Sequence, residues 1–356
     1  MENLNKLDFS GQQIYVGMDV HKNSWSVSIL TEQFEHKTFC QPPEVNVLVN
    51  YLKRNFPGAV YHAVYEAGFS GFWTHDRLVE QGINCMVVNP ADVPTKDKER
   101  ATKTDKVDCR KLARNLRSGE LKAIYVPPRT KVEDRQLLRT RQGMVKKQTR
   151  CKNQIKSLLY FYGIQIPEEL TQSRWSNKFI IWLDEIRMNR ASGDLAFATH
   201  LEELRHIRQL IAKLNLGIRA LAKGDEYRKN VQLLKTVPGI SLLTAMTLLT
   251  ELYDINRFKN LDKLSSYVGL IPDTDSSGEK ELATNITNRR NPQLRCLLIE
   301  SAWVAVRKDP ALLMAFNRLS KRTTKNKAIV KIARKLLNRI RYVLRNQKEY
   351  VPAIVK

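Results

Sequence analysis

Ile-Tyr-Val-Gly-Met-Asp-Val-His-Lys-Asn-Ser-Trp-Ser-Val-Ser-Ile-Leu-Thr, residues 14–31, decides the fold. Its two ends, 14–20 and 25–31, are β-branched or alternating, and the polar stretch 21–24 between them reads as a turn. A second polar turn at 32–34 leads to a third strand at 35–40, so the opening predicts a hairpin meander. Beyond it, Val45, Leu48, Val49, Leu52 and Phe56 lie at helical spacing until Pro57-Gly58 stops them. A strand at 60–66, a helix at 71–81 and an apolar strand at 83–89 follow. A further helix at 105–117 turns Val107, Leu112 and Leu116 inward, with Gly119 past its end. A meander followed by alternating helices and strands predicts an α/β domain, a mixed sheet flanked by helices, over residues 1–128.

The rest of the chain reads as all-α. One long basic helix spans 129–163, with Leu137, Leu138, Val145, Ile155, Leu158 and Leu159 on an imperfect stripe. Helices at 176–188 and 198–223 complete an elongated, coiled-coil-like middle region, 129–229, suited to pairing between copies. In the last region, 230–356, Val237-Pro238-Gly239-Ile240 sits between helical patterns. It fits either a helix–hairpin–helix, whose glycine turn admits a DNA phosphate, or a plain helix-joining turn. Residues 272–280 read as a loop, 291–308 as a helix, and 310–350 as one or two more.

Charge points to the partner. The chain has 60 Lys+Arg against 36 Asp+Glu, a net +24 over 356 residues. Residues 1–128 carry +1 and 164–283 carry zero, whereas 129–163 carry +8 and 284–356 carry +15. Runs of one sign repel themselves unless a polyanion offsets them, and phosphates do so with release of counterions. No apolar run is long enough for a transmembrane helix, and residues 1–10 lack a signal-peptide core. Cys40, Cys85, Cys109, Cys151 and Cys296 form no CxxC pair, so a reducing, cytoplasmic setting is expected, with no membrane partner.

Four acids in the neutral first region stand out by position. Asp19 ends the first strand in Gly17-Met18-Asp19-Val20-His21-Lys22, and Glu66 ends the fourth in Tyr65-Glu66-Ala67-Gly68. Asp105 and Asp108 open a helix in Lys103-Thr104-Asp105-Lys106-Val107-Asp108, three apart and so on one face. Singly, each has a bland reading; Asp105 would serve as an N-cap. Together they would repel unless a cation sat among them. Mg²⁺ takes such oxygen ligands, and two ions about 4 Å apart can activate an attacking oxygen and stabilise a leaving one.

On these residues a resemblance is plain. The order Asp, Glu, Asp, Asp on this frame resembles the RuvC-like, ribonuclease H type nuclease fold. The three motifs, the last continuing to Ala113, resemble the DEDD transposases of insertion sequences, a group that includes the pilin-gene invertases. The later part is similar too, through Val237–Ile240, Tyr267-Val268-Gly269-Leu270-Ile271-Pro272, Ser276-Ser277-Gly278-Glu279-Lys280 and Leu294–Trp303. The resemblance implies a site-specific recombinase. Asp19, Glu66, Asp105 and Asp108 would hold Mg²⁺, or Mn²⁺ in its place. A serine, Ser277 by slight preference over Ser276, would attack phosphorus to form a covalent phosphoserine. It also implies a structured noncoding guide, the bridge RNA, pairing with DNA, and a dimer or tetramer. One departure is local: the family's glycine-bearing segment after the serine reads Asn285-Ile286-Thr287-Asn288-Arg289-Arg290-Asn291 here. Two other readings compete: a Holliday-junction-resolvase-like Mg²⁺ endonuclease needing the acids but no serine, and a non-enzymatic RNA- or DNA-binding protein.

Overall fold

A computed structural model describes residues 8–95, 104–172, 174–277, 280–287 and 290–352, the side chains of 273–277 and 280–285 excepted. The chain divides into two compact units, Met1–Pro127 and Pro128–Lys356.

In the first unit, β1 (Gln13–Val20), β2 (Trp25–Leu30) and β3 (Glu35–Gln41) form the meander. They are followed by α1 (Val45–Asn55), β4 (Val60–Glu66), α2 (Trp73–Glu80), β5 (Asn84–Val88) and α3 (Asp105–Arg117). The sheet order is β3-β2-β1-β4-β5. The meander strands pair antiparallel, and β1–β4 and β4–β5 pair parallel. This is the mixed, RuvC-like sheet that the opening stretch predicts.

Alternation along the strands sorts the two faces. Ile14, Val16, Met18, Trp25, Val27 and Ile29 pack on one side with Leu48 and Leu52 of α1 and Leu78 of α2. The opposite side takes α3, whose Leu112 packs with Val64 and Val88. Under α3 the sheet is paved with small residues: Gly17 pairs with Ser28, and Ser26 with Asp19. A Cβ on Gly17 would lie 2.1 Å from the Cys109 carbonyl oxygen and 2.4 Å from the Ala113 nitrogen. Only glycine lets the helix backbone lie that close to β1.

Among the described residues the second unit is helical apart from one hairpin. Its helices of eight or more residues begin with α4 (Arg129–Phe161), α5 (Asn177–Glu185), α6 (Ala191–Lys223), α7 (Asp225–Lys235) and α8 (Leu242–Leu252). Then come α9 (Leu261–Val268), strands β6 (Pro272–Ser277) and β7 (Lys280–Ile286), α10 (Pro292–Lys308), α11 (Pro310–Ser320) and α12 (Lys325–Asn346). The 33-residue helices α4 and α6 pack on each other within the chain. Cys151, Ile155 and Leu159 of α4 are covered by Phe197, Leu201 and Leu204 of α6 and Phe179 and Leu183 of α5. At the other end Leu138 of α4 and Ile218 of α6 enter the same core as Leu264, Leu298 and Leu336, so the middle and last regions share one interior. Its largest contributor is α12, which buries Ala328, Ile329, Ile332, Ala333, Leu336, Leu337 and Ile340 and turns its lysines outward.

Two local readings change. Residues 272–280, read as a loop, form a strand pair: β6 runs antiparallel to β7, with Ser277 opposite Lys280. A polar two-strand ribbon lacks the apolar alternation that marks a strand in sequence. The α7–α8 turn does carry glycine in the left-handed region, at φ 84°. Yet its missing side chain serves packing, because a Cβ on Gly239 would lie 2.3 Å from the Ser301 carbonyl oxygen of α10.

Candidate active site

The parallel register between β1 and β4 runs to Met18 opposite Tyr65, which leaves Asp19 and Glu66 as the next residues on adjacent strands. Alternation then turns both toward the face that α3 covers. Gly17, two residues before Asp19, lets the Cys109–Ala113 stretch of α3 lie on β1, so the helix start lies near this strand end. Thr104 caps the helix by accepting the Val107 N–H at 3.3 Å, so the cap role open to Asp105 is taken by its neighbour. Asp105 and Asp108 thus stand in the first helical turn, where the helix dipole favours acids.

All four acids reach this corner, in two pairs. Asp19 and Asp105 gather around His21: its Nε2 lies 3.2 Å from Asp19 Oδ2 and 3.7 Å from Asp105 Oδ1. Ligand atoms from Asp19, His21 and Asp105 all lie within 4.8 Å of one another. Glu66 and Asp108 gather around Lys111, one turn along α3. The Lys111 ammonium donates to Asp108 Oδ1 at 2.8 Å and lies 3.9 Å from Glu66 Oε1. Burial raises the Asp19 carboxyl above its ordinary value; the facing His21 opposes this, while Asp105 and Asp108 add to it.

The donor set fits a hard divalent cation. Mg²⁺ prefers carboxylate oxygens and keeps several waters, and Asp105 and His21, both exposed, leave room for them. Two basic partners of the acids do not stand out in the sequence, His21 and Lys111. The first lies inside the quoted motif, two residues from Asp19. The second had one local signal, the i,i+3 spacing from Asp108; its approach to Glu66 exists only once the sheet has formed.

The serine motif belongs to the second unit. Ser276 pairs with Glu281 and Ser277 with Lys280 at the end of the β6–β7 ribbon, while their side chains, and Gly278 and Glu279 between the strands, lie outside the described residues. So do Asn288 and Arg289 of the departing segment. The base of the ribbon is firmly built. Arg295 donates to the carbonyls of Thr287 at 3.1 Å and Gly269 at 3.4 Å. Asn291 caps α10 through the Leu294 N–H and donates to Glu251 Oε2 at 2.9 Å. Glu251, 1% exposed, also receives a two-pronged contact from Arg139 of α4, at 2.7 and 2.9 Å. Around this unit, Lys146, Lys147 and Arg150 of α4 and Lys325, Lys327, Lys331 and Lys335 of α12 are exposed. Among the described residues no helix is long and apolar enough to cross a membrane.

In sequence the chain is similar to transposases. A family model described as a transposase, of the DEDD IS110 kind, matches residues 16–164. A second, described as the transposase IS116/IS110/IS902 family, matches residues 231–318, and together they take in about two-thirds of the chain. A Sinorhizobium fredii protein provisionally named a transposase is 28% identical over 78% of this chain, and the match spans 61% of that relative's length. A second such protein of the same organism is also 28% identical, over 91% of this chain and 90% of its own. The transposase for insertion sequence element IS1533 of Leptospira borgpetersenii is 27% identical, over 82% of this chain and 85% of the relative.

Proposed function

Because the chain belongs to the IS110/IS116 family of insertion-sequence transposases, we propose that it cuts and rejoins DNA through a covalent phosphoserine, with a divalent cation at the four acids. The observation that supports this most is the convergence of Asp19, Glu66, Asp105 and Asp108 at one corner of the first unit. These residues come from three elements separated by up to 89 positions in sequence.

A divalent cation, Mg²⁺ or Mn²⁺, supplies charge neutralisation for an approaching phosphate and polarises its oxygens. Asp19 and Asp105 would hold the cation. Asp108 and Glu66 lie beside them, with Lys111 against both. In the second unit Ser277, or Ser276 beside it, attacks phosphorus. A bond from the serine oxygen to phosphorus forms, the bond to one DNA strand breaks, the hydroxyl proton leaves to a base, and the departing oxygen takes up a proton. The phosphodiester's energy is kept in the serine ester, so a strand hydroxyl can reverse the step and rejoin DNA without an outside energy source. The exposed lysines of α4 and α12 hold the phosphate backbones, and a structured bridge RNA guiding the DNA suits the same surfaces. We further propose that the protein works in the cytoplasm as a dimer or tetramer. Its parts would be a catalytic region 1–128, a middle region 129–229 for assembly and nucleic-acid binding, and a terminal region 230–356.

The test is cleavage of DNA carrying the element ends, with Mg²⁺ and the flanking noncoding RNA supplied. The wild-type chain should form a protein–DNA adduct that resists denaturation, Ser276→Ala with Ser277→Ala should lose it, and Asp19→Asn should lose cutting. Undiminished cutting by the double serine variant would replace this reading with a resolvase-like hydrolysis.

A further inference from the structure

Four carboxylates meet at the corner of the first unit, and among the described residues a lysine lies against only one half of them. Lys111 has a side chain 9% exposed, with its ammonium against Asp108 at 2.8 Å and near Glu66 at 3.9 Å. Asp19 and Asp105 face His21, which is half exposed and is a charged partner only when protonated. The corner is therefore lopsided. One half contains a fixed, desolvated positive charge; the other is open to water.

We infer that Lys111 is a built-in occupant of the second cation position, so that the resting protein takes one divalent ion, at Asp19 and Asp105, and resists another at Glu66 and Asp108. The inference rests on the proposed metal role of the acids and deepens it. A divalent ion entering beside Asp108 must either displace the ammonium from a 2.8 Å contact or sit within a few ångströms of it. Like charges at that separation, in a partly desolvated corner, repel strongly. The same ammonium explains how Asp108 and Glu66 stay converged without metal, since paired carboxylates otherwise drive each other apart or take up a proton. A Lys111 that swings aside when a phosphate arrives would also present its charge to that phosphate. The chain could then load its second ion only with DNA in place. Lys111 is a positioning residue in this account, acting through Glu66 and Asp108.

The experiment is calorimetric titration of the full-length protein, free of nucleic acid, with MnCl₂, paired with thermal melting with and without Mn²⁺. Wild type and Lys111→Arg should bind one ion, and Asp19→Asn should lose it. Lys111→Met should gain a second ion or bind at least ~10-fold more tightly in total. Its melting temperature should fall without Mn²⁺ and rise further on Mn²⁺ addition than wild type's does, a rescue that a merely structural lysine would not produce. Binding and Mn²⁺ response of Lys111→Met equal to wild type would overturn the inference while leaving the metal site standing. Mn²⁺ binding by wild type that Asp19→Asn leaves unchanged, or no binding at all, would overturn the metal reading and the inference together.

Discussion

The two units treat their carboxylates in opposite ways. In the second, Glu251 is 1% exposed and Asp309 is fully buried, and each has a complete set of partners. Arg139 and Asn291 saturate Glu251. Asp309 receives Arg339 at 2.7 Å, the Tyr350 hydroxyl and the Leu312 N–H at the start of α11, which together hold its carboxyl below the ordinary range despite burial. In the first unit, four carboxylates that are 17–60% exposed gather, among the described residues, around Lys111 and His21. A buried acid with every oxygen satisfied holds a fold together. A cluster of wetter acids at one corner has room for something that arrives.

Breaking the buried set should give the largest change in stability. Glu251→Ala strands Arg139 and Asn291 and should cost about 3–5 kcal/mol, read by chemical denaturation of the second unit's helices. Asp19→Asn should reverse that profile. Removing a carboxylate whose charge burial disfavours should leave the melting temperature nearly unchanged or raise it, while DNA cutting falls at least about 100-fold, beyond what outer-shell partners of a metal cost. Equal destabilisation by the two substitutions would erase the distinction between the units. Gly17→Ala forces α3 off β1 and should cost about 1–3 kcal/mol, with a disproportionate loss of cutting as Asp105 and Asp108 retreat from Asp19. The smallest effect should come from Thr104→Ala, about 1 kcal/mol through the lost cap. Acid should also separate the units. Asp309's carboxyl is lowered on folding, so its contribution is present above the unfolded value near 4 and is lost as pH falls through its depressed value. Melting of Asp309→Asn should accordingly depend less on acid pH than that of wild type.

Much of the first unit was legible because its signals are local. β4 at 60–66 and α3 at 105–117 lie where residue pattern puts them, and the other strands and helices of the sheet differ by one or two residues at their ends. The four acids were legible as a set because each ends a strand or opens a helix. Their partners were not. Lys111 is one of many basic residues on the chain, and nothing local says that its ammonium will meet Glu66 across two elements. The β6–β7 ribbon is not legible because its polar residues leave no apolar alternation in the sequence. Gly239 was read correctly as a turn glycine, but its neighbour α10 is more than fifty residues away. Shape complementarity at that distance is invisible in a string of letters.

The absent side chain at Gly17 has an implication for timing. The acids at 105 and 108 meet Asp19 only when α3 docks on a strand made some ninety residues earlier, a contact whose loop-closure cost falls late in assembly. A nascent or half-collapsed chain therefore carries the ingredients of the proposed DNA-cutting centre without the centre itself. On the proposed reading, the capacity to cut DNA appears only with the finished tertiary structure.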